Sequence, residues 1–275
     1  MIVLSPRCIP DLSNEEYHAN KDYTSRSSIM DFDKSPYTYW AKHLNPDRPI
    51  RESTPQMILG SAFHTLMLEP DKFNYEYAIL PQKVLLKDVG RETYDAFKKL
   101  EKEMLEGSQT LITSDEYINL MNMKLTVEAN KSAMQLINNA RIENSFFWKD
   151  EHSGLNLKCR PDILHDNMII DLKTTSNASP RHFQREMVDY GYHVQFAMIR
   201  DAVEIVEGRR INNCINIVVE TKYPYNMAIY IIDEFALEEG HMKYKQICLD
   251  LKNAITENKW ADYGIQTIGL PKWAI

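Results

Sequence analysis

Residues 154–175 read GLNLKCRPDILHDNMIIDLKTT, and within them Asp162, Asp171 and Lys173 are the side chains best suited to chemistry. Hard divalent cations such as magnesium prefer carboxylate oxygens and keep several waters for a substrate. Asp162 and Asp171 could bridge or share such ions, with the Leu172 carbonyl as a further oxygen ligand. A bound metal lowers the pKa of a coordinated water and neutralises charge on a phosphate oxygen. Lys173 would then orient that water or stabilise the developing negative charge. From spacing alone a second reading stands beside this one: Asp171 and Lys173 form an exposed cross-strand ion pair, and Asp162 is a turn residue.

The elements that would position these groups follow from periodicity. Leu155, Leu157 and Cys159 alternate with Asn156, Lys158 and Arg160, the period-two pattern of a strand. The chain turns through His165-Asp166-Asn167, residue types whose side chains bond the local backbone. It resumes with Met168, Ile170 and Leu172 on one face and Ile169, Asp171 and Lys173 on the other. The two strands are expected to form a hairpin, with Asp162 approaching Asp171 from the adjoining strand. Glu143 stands just ahead of the apolar run Phe146-Phe147-Trp148, a further expected strand.

Helices are expected on both sides. Thr24-Ser25-Arg26-Ser27-Ser28 has the hydroxyls that cap a helix start. Pro36 restarts the chain as a helix over 37–43, and the proline-rich stretch 45–55 reads as a loop. Residues 56–68 form an apolar helix carrying His64, whose residue type alone fits a satisfied core histidine or a site ligand. Residues 73–80 suggest a strand, and 83–107 carry a charged helix around Tyr94. Thr113 and Glu116 make a capping box ahead of one long helix bearing Ile118, Met121, Leu125, Ala129, Ser132 and Leu136. Ser179-Pro180 opens a helix with Phe183, Met187, Tyr190, Val194 and Met198 on one side, and Tyr192 and Gln195 on another. Strands over 211–220 and 227–232 and a helix over 234–258 complete the chain. This order predicts an α/β (α+β) fold with a helical insertion over residues 70–141.

Size and charge bound the remaining choices. The 275 residues allow one large domain or two small ones and bury a sizeable core. No run approaches the ~20 apolar residues of a membrane span, and the first residues lack the pattern of a signal peptide. Four scattered cysteines contain no C-x-x-C pair, which argues against zinc or iron–sulfur and for reduced thiols in a cytoplasm. The formal charge of −7 argues against a globally basic nucleic-acid binder, although a basic groove can sit on an acidic body.

CRPD followed by IIDLKTT resembles the PD-(D/E)xK nuclease superfamily, specifically the nuclease domain of RecE-type exonucleases (exonuclease VIII). TSRSSIMDFDKSPYTYW resembles that family's serine-and-proline segment, and LGSAFHTLMLEP its histidine helix. ENSFFWKDEHSGLNLKCRPD resembles its glutamate-strand-hairpin segment, and YGYHVQFAMIRDAV its tyrosine–glutamine helix. Together these span about residues 17–203; residues 70–141 and the C-terminal part match only loosely. The resemblance implies one restriction-endonuclease-like domain over 1–275, a mixed central sheet flanked by helices. It implies Asp162 and Asp171 as metal carboxylates, Lys173 as catalytic lysine, and Glu143 and His64 completing the site. Gln195 and Tyr192 would line it or contact DNA, or serve helix packing. Arg26, Ser27 and Ser28 would hold a terminal phosphate, with plain capping the alternative for the serines. The activity implied is Mg2+-dependent (Mn2+ substituting) 5′ to 3′ digestion of linear duplex DNA, leaving 3′ overhangs for recombination. The partners implied are DNA ends, a single-strand annealing protein and further copies in a ring-shaped trimer or tetramer, in a bacterial or phage-encoded intracellular setting. The competing readings are another PD-(D/E)xK nuclease, whether endonuclease or CRISPR-type, and an inactive DNA-binding scaffold.

Overall fold

The computed structural model describes residues 5–49, 53–81, 87–88 and 90–270. Residues 83–86 and 89, at the start of the region assigned to the charged helix, lie outside the described residues; the helix itself spans Arg91–Leu105.

The lysine strand, Met168–Thr175, runs through a five-stranded sheet. On one side it lies parallel to Asn213–Glu220, which pairs antiparallel with Met227–Ile231. On the other it meets the two-residue strand Ile163–Leu164, itself paired with Arg141–Ile142. A parallel strand in mid-sheet has both faces covered, and its side chains are correspondingly apolar in both directions. Ile169 enters a core with Val194 and Phe196 of the glutamine helix (Tyr192–Glu207) and Leu237 and Tyr244 of the helix Glu234–Glu257. Ile170 and Leu172 enter a second core with Ala62 and Phe63 of the histidine helix (Pro55–Leu68) and Leu120 and Met123 of Ser114–Ala129. The expected mixed sheet between helical layers is therefore present.

A second, four-stranded sheet holds Arg7–Ile9, Ser145–Lys149, Asn156–Cys159 and Thr24–Ser25, in that order. Here the expected hairpin is corrected. Asn156–Cys159 pairs with Ser145–Lys149 and Thr24–Ser25, and not with the lysine strand. Pro161, lacking an N–H, cannot continue the ladder, so the chain leaves the sheet at Arg160-Pro161 and joins the other one. The hairpin that remains pairs only Ile163 with Ile170 and Leu164 with Ile169.

Other expectations are corrected by local chemistry. Pro70 begins a helix, Pro70–Glu76, as its fixed φ and missing donor favour; only Tyr77–Leu80 of the expected 73–80 strand is extended. The helix behind the Thr113–Glu116 capping box forms with that box intact, but stops at Ala129. Asn130 breaks it and caps a new helix, Lys131–Ile137, by accepting the Ala133 N–H. The buried side carries Leu120, Met123, Val127, Ala133 and Ile137, while Ile118 and Leu125 face outward. The helix expected from Ser179 onward is likewise two, Pro180–Asp189 and Tyr192–Glu207, divided at Gly191 (φ 66°). Val194 and Met198 are core residues, whereas Tyr190 is exposed. The 70–141 region is not purely helical: Tyr77–Leu80 and Thr110–Thr113 form a parallel pair, and Ser114–Ala129 packs into the main core.

The glutamine helix and Glu234–Glu257 cross almost backbone to backbone. A Cβ added at Gly240 would lie 2.5 Å from the His193 carbonyl oxygen. Gly240→Ala must push the helices apart, and is expected to destabilise the protein by about 1–3 kcal/mol. Thermal unfolding measures this, and an unchanged midpoint would refute the close crossing.

Candidate active site

Two chain crossings between the sheets build the site. Glu143 stands at one, between Arg141–Ile142 of the five-stranded sheet and Ser145–Lys149 of the four-stranded sheet. Asp162 stands at the other, between Asn156–Cys159 and Ile163–Leu164. Glu143 takes a left-handed conformation (φ 53°), a costly one for a side chain of its size. Its N–H donates to the Asp162 carbonyl at 3.1 Å, which ties the two corners together.

Around this tie the expected groups converge. His64 Nδ1 lies 3.3 Å from Asp162 Oδ2. One ligand atom from each of His64, Glu143 and Asp162 lies within 4.8 Å of the others. The same Asp162 oxygen accepts the Leu172 N–H at 2.9 Å. In a strand the N–H and C=O of one residue leave from the same edge, so the Leu172 carbonyl emerges on the Asp162 side, as expected of a further ligand.

Asp171 sits one strand position away and is held from three directions. Lys173 Nζ lies 2.6 Å from its Oδ2. Gln195 donates to Oδ1 at 2.7 Å, and Asn216 donates to Oδ2 at 3.0 Å. Asn216 is the cross-strand partner of Asp171 and is fully buried. Arg26 in turn donates to Gln195 Oε1 at 3.0 Å and to the Tyr190 carbonyl at 2.9 Å. Lys173 Nζ lies 4.8 Å above the Tyr192 ring, which gives Tyr192 a place beside the ammonium as well as in the packing. The hydroxyls of Ser27 and Ser28 are engaged with Ser25, 2.9 and 3.0 Å away, and it is Ser25 that caps the helix Arg26–Lys34.

Three contributors carried no recognisable sequence signal. Asn216 looks like any polar residue in an apolar strand, and only its register with Asp171 gives it a role. Arg160 lies 3.9 Å from Glu143 and is fixed by Ser145 and Asn14. Lys158 is buried, donating to the Tyr17 and Asn20 carbonyls; burial, then Lys21 and Arg160, pulls its pKa down to about 8. Lys158, Arg160, Arg26, Ser27 and Gln195 line a cavity of about 150 Å³ beside the carboxylates.

Charge crowding governs the site. Burial, and then the Asp162 carboxylate, pushes the Glu143 pKa up to about 8. Burial, and then Asp171, raises that of Asp162 as well. Oxygen donors with one imidazole nitrogen, together carrying unneutralised negative charge, suit a hard divalent cation. Asp162, Glu143, His64 and the Leu172 carbonyl would hold it, with Asp171 adjoining.

The architecture is that of a PD-(D/E)xK domain, with its aspartates and lysine at the end of a short hairpin. Residues 25–267 match the family described as PDDEXK-like domain of unknown function (DUF3799), and the chain belongs to that family. No curated protein gives a significant match. Among solved structures, the fold is similar to a crystal structure described as "Putative exonuclease" from Eubacterium rectale, with a TM-score of 0.60 and 18% identity. The likeness covers 89% of this chain and 87% of that one.

A carboxyl whose pKa is raised on folding stays protonated in the folded state after the unfolded state has lost its proton. Stability therefore falls as pH rises from the ordinary carboxylate value towards about 8. A divalent cation displaces that proton and reverses the penalty. Magnesium or manganese should thus raise the melting temperature more at pH 8.5 than at pH 6, with proton release at neutral pH measurable by calorimetry in buffers of different ionisation enthalpy. Equal metal effects at both pH values would contradict this.

Proposed function

We propose that this chain is a divalent-metal-dependent DNA exonuclease of RecE type that hydrolyses phosphodiester bonds of linear duplex DNA. The observation that carries the reading is half-buried Glu143 beside buried Asp162 and Asp171, with Lys173 Nζ 2.6 Å from Asp171. Such a group is costly to bury without a cation and a phosphate to balance it. When bound, the metal ion supplies charge neutralisation at a phosphate oxygen and a more acidic water.

The chain's own residues divide the remaining work. Lys173 stabilises negative charge on the phosphate or orients the attacking water. Gln195 and Asn216 are positioning residues that fix the Asp171 carboxylate, and Arg26 fixes Gln195. The basic cavity at Arg26, Lys158 and Arg160 fits a terminal phosphate next to the carboxylates, and so favours an exonuclease starting at a 5′ end. Strand polarity, cooperation with a single-strand annealing protein and a cytoplasmic setting belong to the same proposal. For the last, no helix among the described residues is long and apolar enough to cross a membrane.

End-labelled linear duplex tests the reading. Magnesium or manganese should release nucleotides from the 5′ end, and chelation should stop release. Lys173→Ala and Asp171→Ala should each lower the rate by roughly 100-fold or more. A wild-type chain inert with both metals would sink the nuclease reading. Circular duplex cut as readily as linear would sink the exonuclease reading in favour of an endonuclease.

The proposal includes a ring-shaped trimer or tetramer around DNA, which reconciles the charge of −7 with the substrate if basic residues face the channel. Sedimentation should detect that assembly, and a strict monomer that digests DNA processively would overturn it.

A further inference from the structure

A row of aromatic rings begins at Lys173 and runs to the surface. Lys173 Nζ lies over the Tyr192 ring, and Tyr192 stacks on Tyr190 with centroids 5.8 Å apart and planes at 30°. Tyr192 also stacks on Phe183 at 5.7 Å, and Phe183 on Tyr230 at 5.0 Å. Phe183 and Tyr192 are buried, whereas Tyr190 is 55% exposed. Tyr190 is thus the exposed member of a row of four stacked rings. Its backbone is fixed too, because the Arg26 guanidinium that holds Gln195 also donates to the Tyr190 carbonyl.

Tyr190 follows the helix Pro180–Asp189, which carries Arg181 and Arg185 one turn apart. Both arginines are exposed, and neither has an ion-pair partner among the described residues. Nearer the rings, Arg26 at the Tyr190 carbonyl and Lys173 over the Tyr192 ring place cations beside the exposed tyrosine, the combination that tracks a nucleic-acid backbone while stacking its bases without regard to sequence.

We infer that Tyr190 is a stacking platform for a nucleobase of the DNA strand at the site, one ring removed from Lys173. This inference rests on the nuclease reading above. The base stacks on the exposed Tyr190 ring, and the pile behind it, anchored by Tyr230 and Phe183, holds that ring still. A strand seated this way has its terminal segment fixed by a base as well as by its phosphates.

The test uses short duplexes with 2-aminopurine at successive positions near the 5′ end, bound by Asp162→Asn protein so that cleavage is blocked while Lys173 and the ring pile remain. Stacking should quench emission at one position. Adding Tyr190→Ala should restore that emission and weaken binding by about tenfold, whereas Tyr190→Phe should retain both. The backbone carbonyl that Arg26 uses survives either change, so loss in the alanine variant alone reports the ring. Cleavage by the unmodified enzyme is assayed in parallel. If it cuts DNA but no position is quenched, or if Tyr190→Ala quenches like its parent, the stacking inference fails alone. If it neither binds nor cuts DNA, the nuclease reading fails and takes this inference with it.

Discussion

Glu143, Asp162 and Asp171 place three carboxyl groups in one corner, the two aspartates buried and Glu143 half-buried, and crowding of like charge with burial raises the pKa of Glu143 and of Asp162. Much of the surrounding structure answers that constraint. Lys173 faces Asp171, His64 faces Asp162, and Arg160 stands near Glu143, so each carboxyl has a basic neighbour. The compensation is uneven. Lys173 is close enough for a strong charge-assisted contact with Asp171, whereas Arg160 stands 3.9 Å from Glu143 and has its hydrogen bonds elsewhere. A penalty remains at Glu143, whose pKa is pushed up to about 8 by burial and then by the Asp162 carboxylate.

The corner exists because the chain changes sheets twice at the same place. A residue within a regular ladder has its backbone groups paired by neighbouring strands. At a crossing those groups are free to bind each other, as the Glu143 N–H does with the Asp162 carbonyl. The left-handed backbone at Glu143 is then supported by what surrounds it: strands of different sheets on either side and a hydrogen bond between them. Arg26 makes a comparable tie on the opposite flank, where it joins the start of its helix to Gln195 and to the turn at Tyr190. Two such ties hold four chain segments around the carboxylates.

This separates what the sequence discloses from what it hides. Asp162, Asp171 and Lys173 were legible because a strand's period-two alternation survives burial on both faces, and the turn types between them are local signals. His64, Glu143 and Gln195 were reached through the resemblance, and the structure brings all three to the same corner. The partner of the 156–159 strand was misread because adjacency in sequence favours a hairpin, and the sheet change at Pro161 is a tertiary event. Helix breaks at Asn130 and Gly191 were missed for a related reason. Apolar residues at helical spacing continue across both, and the break is set by one residue's capping or left-handed φ. Asn216 was out of reach, since a residue 45 positions from Asp171 acquires its role only through parallel register.

The break at Gly191 also accounts for the shape of the site's outer edge. Had one helix run from 180 to 207, Tyr190 and Tyr192 would stand about 200° apart around its axis and could not stack. The left-handed glycine stops the first helix, restarts the second, and sets the two rings 5.8 Å apart. The same turn exposes the Tyr190 carbonyl to Arg26. The glycine thereby couples the exposed ring, the guanidinium that fixes Gln195 and, through Gln195, the orientation of Asp171. A side chain at position 191 would be strained by its φ and would meet Met30 at 2.9 Å, disturbing all three together. A pattern of apolar spacing cannot express that coupling; a single backbone angle does.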